Sequence, residues 1–564
     1  MNRQRFVRAA VKRARTTADN IIVRAPFLAL LVTTAVAAVF APAAAAFTEP
    51  KILASKNGVL KTTFIAEEGP ATVDGKTIHG TMTINKQYPG PTLKLKPGDR
   101  VEIKYVNRLR EATNLHFHGL HVSPAGRADN VLRRFRPGTT NIVSLRIPHD
   151  HPNGLYWYHP HLHGQVNTQV LRGMAGMISI EGGSARVKKL AKYRKRNIGL
   201  TLMQYDQTGT QVINPNDQND FTATTLVNGK LGQRIRMRPG RTELWRVANM
   251  SNEGFYRLHL EGHKVWIVGQ DGNPTRVAQN TSQFVIAPGS RYEFLVRPAK
   301  TGTFKFRQLQ EDVGGGSIYP NQDLLTLNVT GRSVTSQRIP RRIKNFTDLS
   351  KAKVRTRRTW RISFTPNNAP VFHGLINGKA FDPDRIDTVA KIGDVEEWTF
   401  RNETDTAHPI HLHTNDFQVT KVNGKSRRVP APIDNYILPA NGSITFRFKP
   451  HTYTGVAVFH CHILFHEDNG MMATIKWSRG TAKASVRPAR SVGAYSSSAI
   501  SAKVFDPATA PDDLNPAEHS HGDGAEAEHR LHLQAVKASR SIPGAPNTGD
   551  PNDWLFCRLD EIQS

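Results

Sequence analysis

Residues 458–472 read VFHCHILFHEDNGMM and place three histidines, one cysteine and two methionines in fifteen positions. Imidazole, thiolate and thioether groups all bind transition metals. In a β-strand, alternate side chains share a face and neighbours oppose one another. His460 and His462 then look one way and Cys461 the other. One three-residue piece of strand can serve two metal sites, one on each side, joined by the Cys461 backbone.

Ten of the 23 histidines fall in four compact motifs: HFH (His116, His118), WYHPH (His159, His161), HPIHLH (His408, His411, His413) and HCHILFH (His460, His462, His466). Strand parity sorts them into four His-x-His pairs, eight imidazoles in all. His408 stands three residues before His411, an odd offset, and should face the side that Cys461 faces. His408, Cys461 and His466, with Met471 five residues further on, then form a separate set. Two His, one Cys and a weak axial Met describe a blue-copper electron-transfer site, whereas zinc has no redox use for such a thiolate. Eight imidazoles exceed the needs of one metal. At two or three ligands each, they suit a cluster of three copper ions with open positions for a small molecule.

The elements that must hold these residues are short strands. Runs such as TLKLKPGDRVEIKYVN, RIRMRPGRTELWRVAN and ITFRFKP alternate apolar and polar residues and are broken by Gly, Pro and Asn,. Helical periodicity is scarce, which makes the class all-β, with sandwiches favoured over one large barrel. Three segments share a register: Asn85, Gly98 and Asn107; Asn228, Gly240 and Asn249; Asn377, Gly393 and Asn402. Each closing asparagine follows its glycine by nine residues and precedes a histidine-bearing strand. One domain written three times is the expected organisation. The first and third copies carry two histidine motifs each. The middle copy keeps only His259 and His263, read as remnants of the repeat.

The chain of 564 residues is long enough for several cores,. Its formal charge of +30 invites a nucleic-acid or membrane reading,. The basic residues are scattered through strand-like sequence, and no helix-turn-helix, zinc-finger or aromatic RNA-binding signature is present, so no nucleic-acid partner is expected. Two cysteines make no disulfide framework, and Cys557 is read as a free thiol,. Residues 1–46 combine a basic stretch, an apolar run and a small-residue end, the pattern of a signal peptide,. A retained membrane anchor is the alternative. After cleavage no stable membrane insertion is expected, and the body is placed in the periplasm or outside the cell. Residues 481–564 are low in large apolar residues and read as a low-complexity tail; His519, His521, His529 and His532 there are read as solvated.

Taken together, the four motifs resemble those of the three-domain multicopper oxidases, the laccase-like enzymes, in that family's order. The resemblance covers about residues 50–480, and HCHILFHEDNGMM is most similar to bacterial laccases and cuprous oxidases. It implies three consecutive cupredoxin-like Greek-key β-sandwich domains at residues 47–187, 188–342 and 343–480. It also implies four copper ions. His408, Cys461, His466 and Met471 match the type 1 ligands, and His116 and His411 the type 2 ligands. His118, His159 and His462 match one type 3 copper; His161, His413 and His460 match the other. A methionine at position 471, rather than leucine or phenylalanine, implies a lower type 1 potential.

The implied activity couples four one-electron oxidations of a reductant to reduction of O2 to water. Protons are needed as well. Glu467 and, less directly, Asp129 in GRADNVL match the family's proton-handling acids. The reductant is expected to be a phenol or an aromatic amine. A metal ion such as Cu(I) is the alternative, although nine methionines without a Met-rich run argue against a dedicated Cu(I) docking segment. A more remote alternative is a non-enzymatic cell-envelope scaffold of the same fold. Two-domain copper nitrite reductases lack four His-x-His pairs and do not fit. His121, His149, His151 and His163 lie off the ligand positions and are assigned surface or supporting roles. A monomer is favoured.

Overall fold

The computed structural model describes residues 45–183, 187–213, 221–366, 369 and 371–480. Residues 1–44 of the segment read as a signal peptide, and the tail from residue 481 with Cys557 and its four histidines, lie outside the described residues. Among the described residues, no helix is long and apolar enough to cross a membrane.

Alternation in the sequence becomes alternation in burial. Arg100–Asn107 and Ser443–Phe448 bury every second side chain, and Glu243–Asn249 is buried throughout. Such strands need an apolar layer on one or both faces, and they find it in three successive β-sandwiches. The first pairs a five-stranded sheet with a four-stranded one. The second and third each pair a six-stranded sheet with a five-stranded one. Each sandwich has its own apolar core, centred on Phe64, Phe117 and Tyr105, on Trp245, Phe294 and Phe306, and on Trp398, Phe446 and Phe459.

The repeat is visible in the hydrogen bonds. Val59–Val73 runs parallel to Arg100–Asn107, Arg194–Asp206 to Glu243–Asn249, and Thr356–Phe364 to Glu396–Asn402. Asn85, Asn228 and Asn377 all take positive φ, where asparagine is one of the few tolerated side chains,. Each accepts a backbone N–H from the preceding long strand, of Ile65, Gly199 and Arg361 respectively. The closing asparagines are equivalent too. Asn107, Asn249 and Asn402 each donate Nδ2 to two carbonyls and accept the N–H of the residue two further on. Not every strand is short: Val59–Val73 has fifteen residues. Its register shifts between Gly69 and Ala71, where Pro70 has no N–H to offer the ladder,.

The histidine motifs sit at strand ends. His116–His118 pairs with Gly154–His159, which stops at His159 because Pro160 follows. His408–Leu412 pairs with Gly455–Cys461, with His411 opposite His460. His161, His413 and His462 lie just beyond their strands. The chain then turns into the short helix Leu464–Asp468, which carries His466 and Glu467. This helix packs on Val166–Leu171 of the first sandwich, and the Asp468 carboxylate accepts the N–H groups of Gly164 and Asn167.

Candidate metal centre

Eight imidazoles from the first and third sandwiches meet in one buried place. His116, His118, His159, His161, His411, His413, His460 and His462 are each at most 2 % exposed. Ring nitrogens converge: His161 Nε2 and His413 Nε2 lie 3.2 and 3.1 Å from His460 Nε2, and His462 Nε2 lies 3.2 Å from His118 Nδ1. His116 groups with His118 and His159, and also with His411 and His413, with one ring nitrogen from each residue of a group within 4.8 Å of the others.

The tautomers follow from the outer partners. A carbonyl only accepts, so His159 Nδ1–H donates to the Pro160 carbonyl, His411 Nδ1–H to that of Asp434 and His460 Nδ1–H to that of Cys461. In each ring Nε2 is left with a bare lone pair. Nδ1 of His116 lies 2.9 Å from the Asp129 carboxylate. Nε2 of His116, His159 and His411 is buried without a hydrogen-bond partner. Burial first, then mutual repulsion among the rings, pushes His116, His118, His161, His413 and His462 well below the ordinary imidazole range, and burial takes His159 to about 3. Neutral imidazole with an unused nitrogen aimed inward is the form that binds a metal. Unpartnered buried nitrogens cost free energy unless a cation takes them.

The second group lies on the other side of the strand. His408 Nδ1 is 3.4 Å and His466 Nδ1 3.8 Å from Cys461 Sγ, and the two nitrogens are 3.3 Å apart. The point equidistant from these three atoms is about 2 Å from each, the length of a first-row metal–imidazole bond. Thr404 Oγ1 donates to Asn402 Oδ1 and can therefore accept Nε2–H of His408, which turns the lone pair of His408 Nδ1 toward Cys461 Sγ and His466 Nδ1. Burial pushes the Cys461 thiol up, so a thiolate here requires a cation beside it,. Met471 is fully buried, and its carbonyl accepts the Cys461 N–H. This donor set fits copper.

Both acids singled out in the sequence line the larger group. Asp129 is 3 % exposed, accepts the Phe117 N–H at 2.9 Å, and is pushed up to about 8 by burial. Glu467 is 0 % exposed, with one oxygen 3.0 Å from His460 Nδ1 and the other 3.3 Å from His161 Nδ1. Of the neighbouring histidines, His121 donates Nδ1–H to the Thr414 carbonyl and stacks on His451, while Nε2 of the buried His151 accepts the His121 N–H. His149 and His163 stand outside both groups; Nδ1 of His259 and of His263 each meets a carbonyl of the middle sandwich, and His263 also packs edge-on against Phe304. Two partners had no signal in the sequence. Asp434, in an ordinary-looking PIDNYIL stretch, presents its carbonyl to His411 and lies 3.3 Å from His118 Nε2. Thr404 becomes a partner of His408 only through the turn set by Asn402.

Comparisons with known proteins point to one family. Three successive family models, each described as multicopper oxidase, match residues 66–185, 193–326 and 348–480. The chain is 29% identical over 444 residues to a multicopper oxidase of Staphylococcus epidermidis, covering 76% of this chain and 91% of the relative. It is 26% identical over 476 residues to a laccase of Bacillus stratosphericus, covering 69% of this chain and 89% of the relative. Among solved structures, a metallo-oxidase from Campylobacter jejuni superposes with a TM-score of 0.66 at 25% identity, covering 76% of this chain and 96% of that one. The sandwiches are cupredoxin-like, the family implies copper, and this chain is a copper-dependent oxidoreductase that belongs to the multicopper oxidases.

Proposed function

We propose that the chain oxidises phenols or aromatic amines one electron at a time and passes four electrons to dioxygen, forming water. His408, Cys461, His466 and Met471 would hold a type 1 copper, and His116 and His411 a type 2 copper. His118, His159 and His462 would hold one copper of the type 3 pair, and His161, His413 and His460 the other. Copper supplies one-electron transfer at the first place and dioxygen reduction at the second.

The residues themselves do the rest. Cys461 is covalently joined to His460 and His462, so the two places are linked by a few bonds. Burial of all ten histidines excludes bulk water from both. Asp129 fixes the ring of His116, and Glu467 stands between His161 and His460, where it can hold or pass a proton,.

The observation that carries the choice of reductant is the aromatic cluster packed beside His466. Phe364 meets the His466 ring edge-on at 5.1 Å and the His408 ring at 5.7 Å, and Phe372 packs between Phe364 and Phe465. A neutral aromatic ring packs favourably against such side chains, whereas a hydrated metal ion must shed water to touch them. A metal-ion reductant such as Cu(I) is the second reading, favoured by likeness to the Campylobacter jejuni metallo-oxidase. Steady-state turnover on a phenol and on Cu(I), compared on one preparation, separates them: higher turnover on Cu(I) would overturn the phenol assignment.

The reading includes export to the periplasm or beyond the cell, with removal of residues 1–46. It also includes domain limits of 47–187, 188–342 and 343–480 and a monomeric state. Absorption and copper content of loaded protein test the centre. A strong band near ~600 nm with four copper ions per chain is expected. Colourless, copper-free protein after loading would instead favour the scaffold alternative.

A further inference from the structure

The middle sandwich contributes none of the twelve candidate ligands, yet its Arg291 reaches the centre's wall. Arg291 opens the strand Arg291–Val296 and is fully buried. Its guanidinium forks onto Asp434 of the third sandwich, Nη1 donating to Oδ1 at 2.7 Å and Nη2 to Oδ2 at 2.5 Å. Nη1 also donates to the Gly289 carbonyl and Nε to that of Leu155. Every one of these contacts is inside the protein, so the fork has a single orientation.

Asp434 is the residue that Arg291 holds, and Asp434 in turn faces two of the candidate ligands. Its carbonyl takes His411 Nδ1–H at 2.7 Å, and its Oδ1 lies 3.3 Å from His118 Nε2. Those contacts leave Nε2 of His411 and Nδ1 of His118 for the interior. The first sandwich makes room for the fork. At Gly119, directly after the HFH motif, a Cβ would stand 2.1 Å from Arg291 Nη2 and 2.7 Å from Asp434 Oδ2. All three sandwiches therefore meet at one carboxylate.

We propose that Arg291 is a positioning residue for the dioxygen-reducing group: by fixing the Asp434 carboxylate it orients the ring of His118, and by anchoring that residue it holds in place the Asp434 carbonyl on which His411 is oriented. This rests on the copper assignment above. It gives the middle sandwich a part in the centre beyond spacing its neighbours. Outer partners of this kind tune metal affinity by 10–100-fold when removed.

The test compares parent, Arg291→Lys and Arg291→Gln, each copper-loaded, by copper count, the blue band and the electron paramagnetic resonance signal of type 2 copper. Lysine keeps a positive charge beside Asp434 but cannot bridge both oxygens. The expected result for Arg291→Lys is loss of at least half of the type 2 signal, with copper falling by up to one ion per chain and the blue band per chain unchanged. Arg291→Gln should lose more of the type 2 signal. If it does not fold, Arg291→Lys decides alone. A type 2 signal and copper count equal to the parent's would overturn the proposal. So would parallel loss of type 1 and type 2 copper, which marks a general folding role. A parent that binds no copper would overturn the copper reading itself, before any variant is compared.

Discussion

Oε2 of Glu467 lies 3.0 Å from Nδ1 of His460, and neither side chain reaches solvent. Neither carboxylate oxygen is in good hydrogen-bond geometry with any described residue. A buried carboxylate left this way is costly as structure and useful as a proton carrier. Glu467→Gln keeps the shape and removes the titratable proton. It should slow dioxygen consumption by on the order of ~10²-fold while leaving the blue band in place. Oxygen-electrode rates across pH check this, and a rate equal to the parent's at every pH would remove Glu467 from proton delivery.

Cys461→Ser separates the two groups of ligands. The thiol lies between His408 and His466, on the side of the strand away from the eight-imidazole cluster. The variant should lose the band near ~600 nm and one copper per chain, retain copper at the imidazoles, and show no turnover. Retention of the blue band would place the chromophore elsewhere.

Much of this was legible because both patterns involved are local. Period-two alternation specifies strands wherever one face is buried. The odd offset of His408 from His411 specifies opposite sides of one strand, and His408 does lie with Cys461 and His466 rather than with His411,. The repeat was legible because Asn107, Asn249 and Asn402 each tie the same turn. The partners of the ligands were not legible. Asp434 meets His118 across 316 residues, and Arg291 meets Asp434 across 143. Those meetings depend on how three sandwiches dock, which no periodicity within a strand encodes.

Gly289 tests how closely the middle sandwich approaches the centre. It has φ +85, and a Cβ there would stand 2.7 Å from the His462 ring. Gly378 has φ +71 and open space around it. Gly378→Ala should cost about 1 kcal/mol for backbone conformation alone. Gly289→Ala adds overpacking against His462 and should cost about 2–4 kcal/mol in total. Thermal unfolding of both variants checks the difference; equal losses would mean that His462 moves aside freely.

The contact between the first and middle sandwiches should show a pH signature. Glu181 accepts Arg246 Nη2–H at 2.9 Å and lies 3.1 Å from Lys195 Nζ. Burial raises the Glu181 carboxyl, but Arg246 and Lys195 outweigh it and bring it down from 4.5 to about 2. The folded state therefore binds this proton less readily than the unfolded chain does. Stability from the pair is present in full above pH ~4.5 and is lost as pH falls toward ~2. The side chain is 25% exposed, and solvent screening reduces the contribution to about 1–2 kcal/mol,. Glu181→Gln should accordingly be less stable than the parent by that amount at pH 6, and the gap should close progressively below pH ~4.5. Denaturant unfolding of the two proteins at matched pH values measures the gap. A gap that stays constant from pH 6 to 3 would mean that glutamine costs packing rather than charge, and that the docking of these sandwiches does not depend on the ion pair.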